Sequence, residues 1–226
     1  MSHRPERVMS LPRLLAPAVV LSLLTVPLLA QMPTVVPGKP DRTRVVAGTY
    51  KLDPAHTLIG WHVDHLGFSD YFGVFGDATG TLVLDPKNLA AAKVDVTVPV
   101  SKVLTASAGL NEHLLRAGKA GGKPDFFGPE PADARFVSTA VKPGKDGLSA
   151  TIAGRLTLNG VTRPVTIAAK FYGAGKSPMG GAVTVGFSAK ATILRSQFGI
   201  TTGIPVIGDK VDLEISAPFE RIRIAQ

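Results

Sequence analysis

Residues 50–84 read YKLDPAHTLIGWHVDHLGFSDYFGVFGDATGTLVL, and their alternation decides the fold class. Ile59, Trp61, Val63 and His65 form one row of a two-residue period, and Gly60, His62, Asp64 and Leu66 form the other. A strand with one buried face requires this pattern, because successive side chains point to opposite sides of a sheet. The Gly67-Phe68-Ser69-Asp70 turn leads into Phe72, Val74 and Phe75, a second strand interrupted by Gly76 and Gly80. Glycines inside a strand pattern mark bulges or bends, where a sheet curls. The stretch is expected to be the first hairpin of a curled antiparallel sheet.

The same period continues downstream. Ala92, Val94, Val96, Val98 and Val100 alternate with Lys93, Asp95, Thr97 and Pro99, a strand with one wet face. Leu110, Leu114 and Leu115 have helical spacing, and Gly118, Gly121 and Gly122 end that short helix. A strand near Phe136 follows, then apolar rows from Leu148 to Leu158, Val165 to Phe171, Val183 to Ile193 and Val211 to Phe219. Asn159-Gly160 between two of them is a strong hairpin signal, since both residues tolerate positive φ. The count is about eight strands, enough to close into a barrel whose interior holds side chains or one small ligand. One short helix cannot cover an open sheet, so an all-β, closed antiparallel barrel is expected.

Three motifs carry a family resemblance. Asp53-Pro54-x-His56 with Trp61-x-Val63-x-His65 and Gly73-x-Phe75-Gly76 opens it. The run from Gly154 through Asn159-Gly160-Val161-Thr162-Arg163-Pro164-Val165 continues it, and Arg195-Ser196-x-Phe198-Gly199 with Gly208-Asp209-x-Val211 closes it. Together they resemble the YceI-like family from about Tyr50 to Ile222. The resemblance implies an exported, lipocalin-like barrel that binds a polyisoprenoid or another long-chain lipid. It also matches Leu114, the Phe126-Phe127 pair, Phe136 and Ser138 to the family's inserted helix and following strand. The extra Ala120-Gly121-Gly122-Lys123 and the Gly128-Pro129-Glu130-Pro131 run depart from that pattern.

Arg4, Arg7 and Arg13 precede an apolar run over residues 14–30 that holds Pro17 and Pro27. It is too short and broken for a membrane span and reads as a secretory signal peptide over residues 1–30. Residues 31–47, with Pro33, Pro37, Gly38 and Pro40, read as a proline-rich tether ahead of one domain over 48–226. The expected location is exported, periplasmic. The chain has no cysteine, so its stability must come from the core rather than from disulfides. A domain of this length buries roughly 70% of its unfolded surface, which is sufficient. The formal net charge is +8, but the cations are scattered and no basic, aromatic-interleaved run suits nucleic acid. Transient contact with a membrane surface remains an expectation. No residue pattern specifies an oligomeric state.

Several chemical motifs fail on inspection. Gly175-Lys176-Ser177 lacks the earlier glycine of a phosphate loop, and no helix follows it. Gly186-Phe187-Ser188-Ala189-Lys190 lacks the last glycine of a nucleophile elbow and lies mid-strand. His62 and His65 are three apart on a strand, point to opposite faces and cannot share a metal. No cofactor, metal site or catalytic residue is expected.

His65 and Arg195 each end an apolar row, after Val63 and after Ile193. A polar side chain there lies near a barrel mouth and needs a partner. That partner is either an internal hydrogen bond or ion pair, or a ligand head group. The expected ligand-binding set is Trp61, Val63, His65, Phe72, Phe75, Leu114, Phe126, Phe136, Phe187, Arg195 and Phe198. The expected function is sequestration of a long-chain lipid without turnover. The alternatives are an enzyme acting on an isoprenoid or quinone-type lipid, and a ligand-free stress or interaction module.

Overall fold

In the computed structural model, the described residues are 34–178 and 180–222. The expected signal peptide lies outside them. Eleven strands form one antiparallel sheet: β1 (Gly48–Leu52), β2 (Leu58–His65), β3 (Ser69–Phe75), β4 (Thr79–Leu84), β5 (Lys93–Val98), β6 (Val103–Leu104), β7 (Ala134–Pro143), β8 (Ser149–Leu158), β9 (Val161–Lys176), β10 (Val183–Leu194) and β11 (Ile207–Arg221). One helix, α1 (Ala108–Leu115), lies between β6 and β7.

The eleven strands make eight staves. One edge of β11 carries β2 along residues 207–216 and β1 along 219–221, so β1 and β2 are one stave broken at residues 53–57. Strands β3 and β4 pair with β2 and β1 in turn, and β6 and β5 pair with β3 and β4. From β5 the ladder runs through β7, β8, β9 and β10 to β11, and the β1–β11 pairing closes the ring. The expected eight-stranded antiparallel barrel with one inserted helix is the observed fold.

Local chemistry sets the corners. Leu66 and Gly67, both at positive φ, make the β2–β3 turn, and Asn159 and Gly160 make the β8–β9 turn in the same way. Ser107 caps α1 by accepting a hydrogen bond from the Leu110 N–H at 3.2 Å. Register shifts at Ser138/Ala140 on β7 and opposite Gly186/Phe187 on β9 bend the wall. The second leaves Tyr172 outside while Phe171 and Ala174 are both buried.

Residues 34–47 are not a free tether throughout. Lys39 exchanges both backbone hydrogen bonds with Ala174, at 3.1 and 2.9 Å. Tyr50 Oη donates to the Val46 carbonyl, and Val45 packs against the core beneath. Gly175 permits this approach, because a Cβ there would stand 2.2 Å from the Pro37 carbonyl oxygen. The segment is a strap across one end of the barrel. Proline and glycine read alike for a tether and for a strap, so composition alone pointed to the looser state.

Candidate functional site

The inward rows enclose two apolar chambers. The strap-side chamber, about 260 Å³, is lined by Val45, Leu52, Leu82, Val94, Phe136, Phe171, Phe187 and Phe219 among others. The helix-side chamber, about 370 Å³, is lined by Trp61, Val63, Phe75, Leu114, Phe126 and Phe127 among others. Ile59, Val98, Leu156 and Leu213 line both, so the chambers meet at that waist. Together they reach the range of ligand cavities, roughly 300–1,000 Å³.

Small residues keep the space open. Ala150, Ala169, Ala189, Ala191 and Ala217 line the strap-side chamber at positions where larger side chains would fill it. Two glycines let aromatic rings lie flat on the wall. A Cβ at Gly73 would meet Trp61 Cζ2 at 2.1 Å, and one at Gly154 would meet Phe136 Cζ at 2.3 Å.

The helix side is roofed by α1 and the chain after it. Phe127 donates its backbone N–H to the Leu114 carbonyl at 3.0 Å, and its ring meets Phe75 edge-on with centroids 6.0 Å apart. Asp125 accepts from Arg116 and pairs with His113, each at 2.9 Å. These bonds, chiefly the one from Arg116, hold the Asp125 carboxyl below its ordinary pKa of 3.8. Asn111 Oδ1 accepts from the Thr105 N–H at 2.7 Å and its hydroxyl at 2.8 Å, fixing the helix to β6.

Nine of the eleven expected binding residues line a chamber: Trp61, Val63, His65, Phe75, Leu114, Phe126 and Arg195 on the helix side, and Phe136 and Phe187 on the strap side. Two do not. Phe72 is 64% exposed and stacks on His62 outside the barrel, centroids 5.3 Å apart. Inward positions on β3 are Tyr71, Gly73 and Phe75, and residues three apart on a strand cannot share a face. Phe198 is 1% exposed but lines neither chamber; its carbonyl accepts from Asn159 Nδ2 at 3.1 Å, under the β8–β9 turn. His62, Asp64, Lys93 and Asp95 lie on the outer face, as their parity requires; Asp95 pairs there with Arg135 at 2.6 Å. Tyr71, His113 and Phe127 line the helix-side chamber and were not in the expected set.

Arg195 is buried and bound to backbone. Nε donates to the Gly208 carbonyl at 2.8 Å, and Nη2 to Ile207 at 2.9 Å. Nη1 donates to Thr202 at 2.9 Å and to Ile200 at 3.2 Å. Burial pulls its pKa below the ordinary arginine value, opposed by the Asp209 charge. Asp209 in turn accepts from the Ser196 N–H and hydroxyl at 2.8 and 2.7 Å. The arginine is therefore a clamp on the 200–208 loop, the internal role of the two open to it. His65 faces the same chamber beside Tyr71, ring centroids 6.0 Å apart.

One end also presents apolar surface. Phe68 is 88% exposed at the tip of the β2–β3 turn, beside exposed Leu66. The Leu66 N–H donates to the carbonyl of exposed Val206 at 3.0 Å and the Phe68 N–H to that of His65 at 3.2 Å, and His65 and Ile207 line the helix-side chamber, so the three lie beside its rim. Among the described residues, no helix is long and apolar enough to cross a membrane.

Comparison with known proteins places these features in a family. The YceI-like domain model matches residues 50–219. Protein YceI of Escherichia coli O17:K52:H18 is 41% identical over 174 residues, covering 76% of this chain and 86% of that protein. Protein YceI of Salmonella arizonae is 40% identical over the same length, again 76% of this chain and 86% of that protein. The crystal structure of Campylobacter jejuni YceI protein is 26% identical with a TM-score of 0.59, covering 71% of this chain and 90% of that one. Burkholderia cenocepacia BcnA shares the fold at 22% identity and a TM-score of 0.61, over 74% of this chain and 98% of that one.

Proposed function

This chain belongs to the YceI-like family, and on that footing we propose that it is an exported carrier for one long-chain lipid, a polyisoprenoid or fatty-acyl molecule. The observation that carries the reading is the pair of adjoining chambers, lined almost wholly by hydrocarbon and held open by alanines and glycines. Each methylene moved from water into such a lining contributes about 0.8 kcal/mol, so a long chain binds without a catalytic group. The bound lipid leaves chemically unchanged. Thr57 and Ser149, the hydroxyl side chains of the strap-side chamber, are spent on the Asp53 carbonyl at 2.6 Å and the Asp146 carboxylate at 2.8 Å. The Leu66, Phe68 and Val206 rim supports loading from a bilayer, by transient contact of that tip with the membrane.

Trp61 is the single tryptophan and lines the helix-side chamber, so its emission reports occupancy. Titration with geranylgeraniol should change Trp61 emission and saturate at one molecule per chain, and extraction should return the alcohol intact. Unchanged emission, or a product that accumulates with time and protein, contradicts the reading.

A further inference from the structure

The two arginines of the strap differ in what they touch. Asp41 accepts from the Thr43 N–H at 2.9 Å and its hydroxyl at 2.6 Å, and pairs with Arg44 Nε at 3.6 Å. Arg44 also donates to the Pro37 carbonyl at 3.2 Å. Arg42 has no carboxylate or carbonyl partner for its guanidinium among the described residues. It lies across the β7–β8 turn, where a Cβ on Gly147 would stand 2.4 Å from its Nη1. It is exposed and still lines the strap-side chamber, so that chamber reaches solvent beneath it.

We propose that Arg42 binds the anionic end of the lipid, a phosphate or a carboxylate, at the outer end of the strap-side chamber. The proposal rests on the lipid-carrier reading above and adds the class and orientation of the ligand: the charged end lies at the strap and the chain runs toward α1. Arg42 is the one charged side chain lining this chamber among the described residues, and its walls are otherwise hydrocarbon. Asp146 does not neutralise it. That carboxylate is turned into its own loop, accepting from the Leu148 and Ser149 N–H groups at 3.0 and 2.9 Å. The buried arginine at the far end, Arg195, already gives four hydrogen bonds to carbonyls. A free planar guanidinium matches two oxygens of a phosphate or carboxylate at once. The strap is thus part of the site.

Binding of geranylgeranyl phosphate, geranylgeraniol, palmitate and hexadecanol should be measured for the wild type, Arg42→Gln, Arg42→Lys and Lys190→Gln. Lys190 sits on the outer wall paired with Glu214, and its variant controls for net charge. Arg42→Gln should weaken one or both acids about tenfold and the matched alcohols less than about twofold. Arg42→Lys should recover part of the loss, and raised salt should shrink the gap between acid and alcohol. Loss confined to the phosphate, or to palmitate, identifies which acid the site takes. Equal losses for acid and alcohol, or none for either acid, overturn the inference while lipid binding stands. Failure of all four ligands to bind the wild type overturns the carrier reading as well.

Discussion

The indole of Trp61 lies against the backbone of Gly73, its partner directly across the β2–β3 ladder. The missing side chain at 73 is what keeps the ring on the wall and out of the lumen. Gly73→Ala should push the ring inward or the strands apart, costing about 1–3 kcal/mol of stability. Ligand affinity should fall with it. Thermal unfolding and lipid titration of the variant check this; an unchanged melting point and unchanged affinity would refute it.

Arg195→Met should behave as the loss of a clamp. Four carbonyls around residues 200–208 would lose their donor inside the protein, at a cost of about 3 kcal/mol. Acidic and neutral lipids should be weakened alike. Denaturant unfolding beside binding of both ligand types tests it. Intact stability with a selective loss for the acid would return Arg195 to a head-group role.

Asp125 ties the roof to α1 through Arg116 and His113. Its folded carboxyl is held below 3.8, so its contribution is complete above that value and is lost as the pH falls through the lowered one. Lipid release should therefore accelerate on the acid side of the ordinary carboxylate range. Asp125→Asn should release faster at neutral pH and lose that acid dependence. A variant with the wild-type acid profile would count against this anchor.

Phe68→Ser should weaken binding to lipid vesicles about tenfold, the scale of removing one inserted phenylalanine. Binding of a lipid delivered from detergent should be unaffected, since Phe68 lines neither chamber. Vesicle co-sedimentation of the two proteins decides it. Equal sedimentation would place membrane contact elsewhere.

Where the two-residue period ran unbroken, sequence placed side chains correctly. Val94, Val96 and Val98 face in while Lys93 and Asp95 face out, and Val165, Ile167 and Ala169 line the chamber as their row requires. The two misplacements have separate causes, and at Phe72 the ladder itself runs without a shift. Phe72 was grouped with Phe75 although a strand puts them on opposite faces, and that choice hid Tyr71. Phe198 sits in the 3-10 turn Arg195–Phe198, where no alternation exists to read. The row correctly brought Arg195 inward, but its partners are loop carbonyls, and no side-chain pattern encodes where a loop turns its backbone. The strap was hidden for a related reason: Gly175 matters for the space it leaves to Pro37, a long-range fact that local composition does not carry.

The most direct test is native mass spectrometry of the protein, purified without added lipid and followed by organic extraction. The account predicts one apolar molecule per chain, released intact into the solvent phase, with one lipid taken up again when the emptied protein meets a polyprenol. A protein that flies bare, yields nothing to extraction and takes up no added lipid would contradict it.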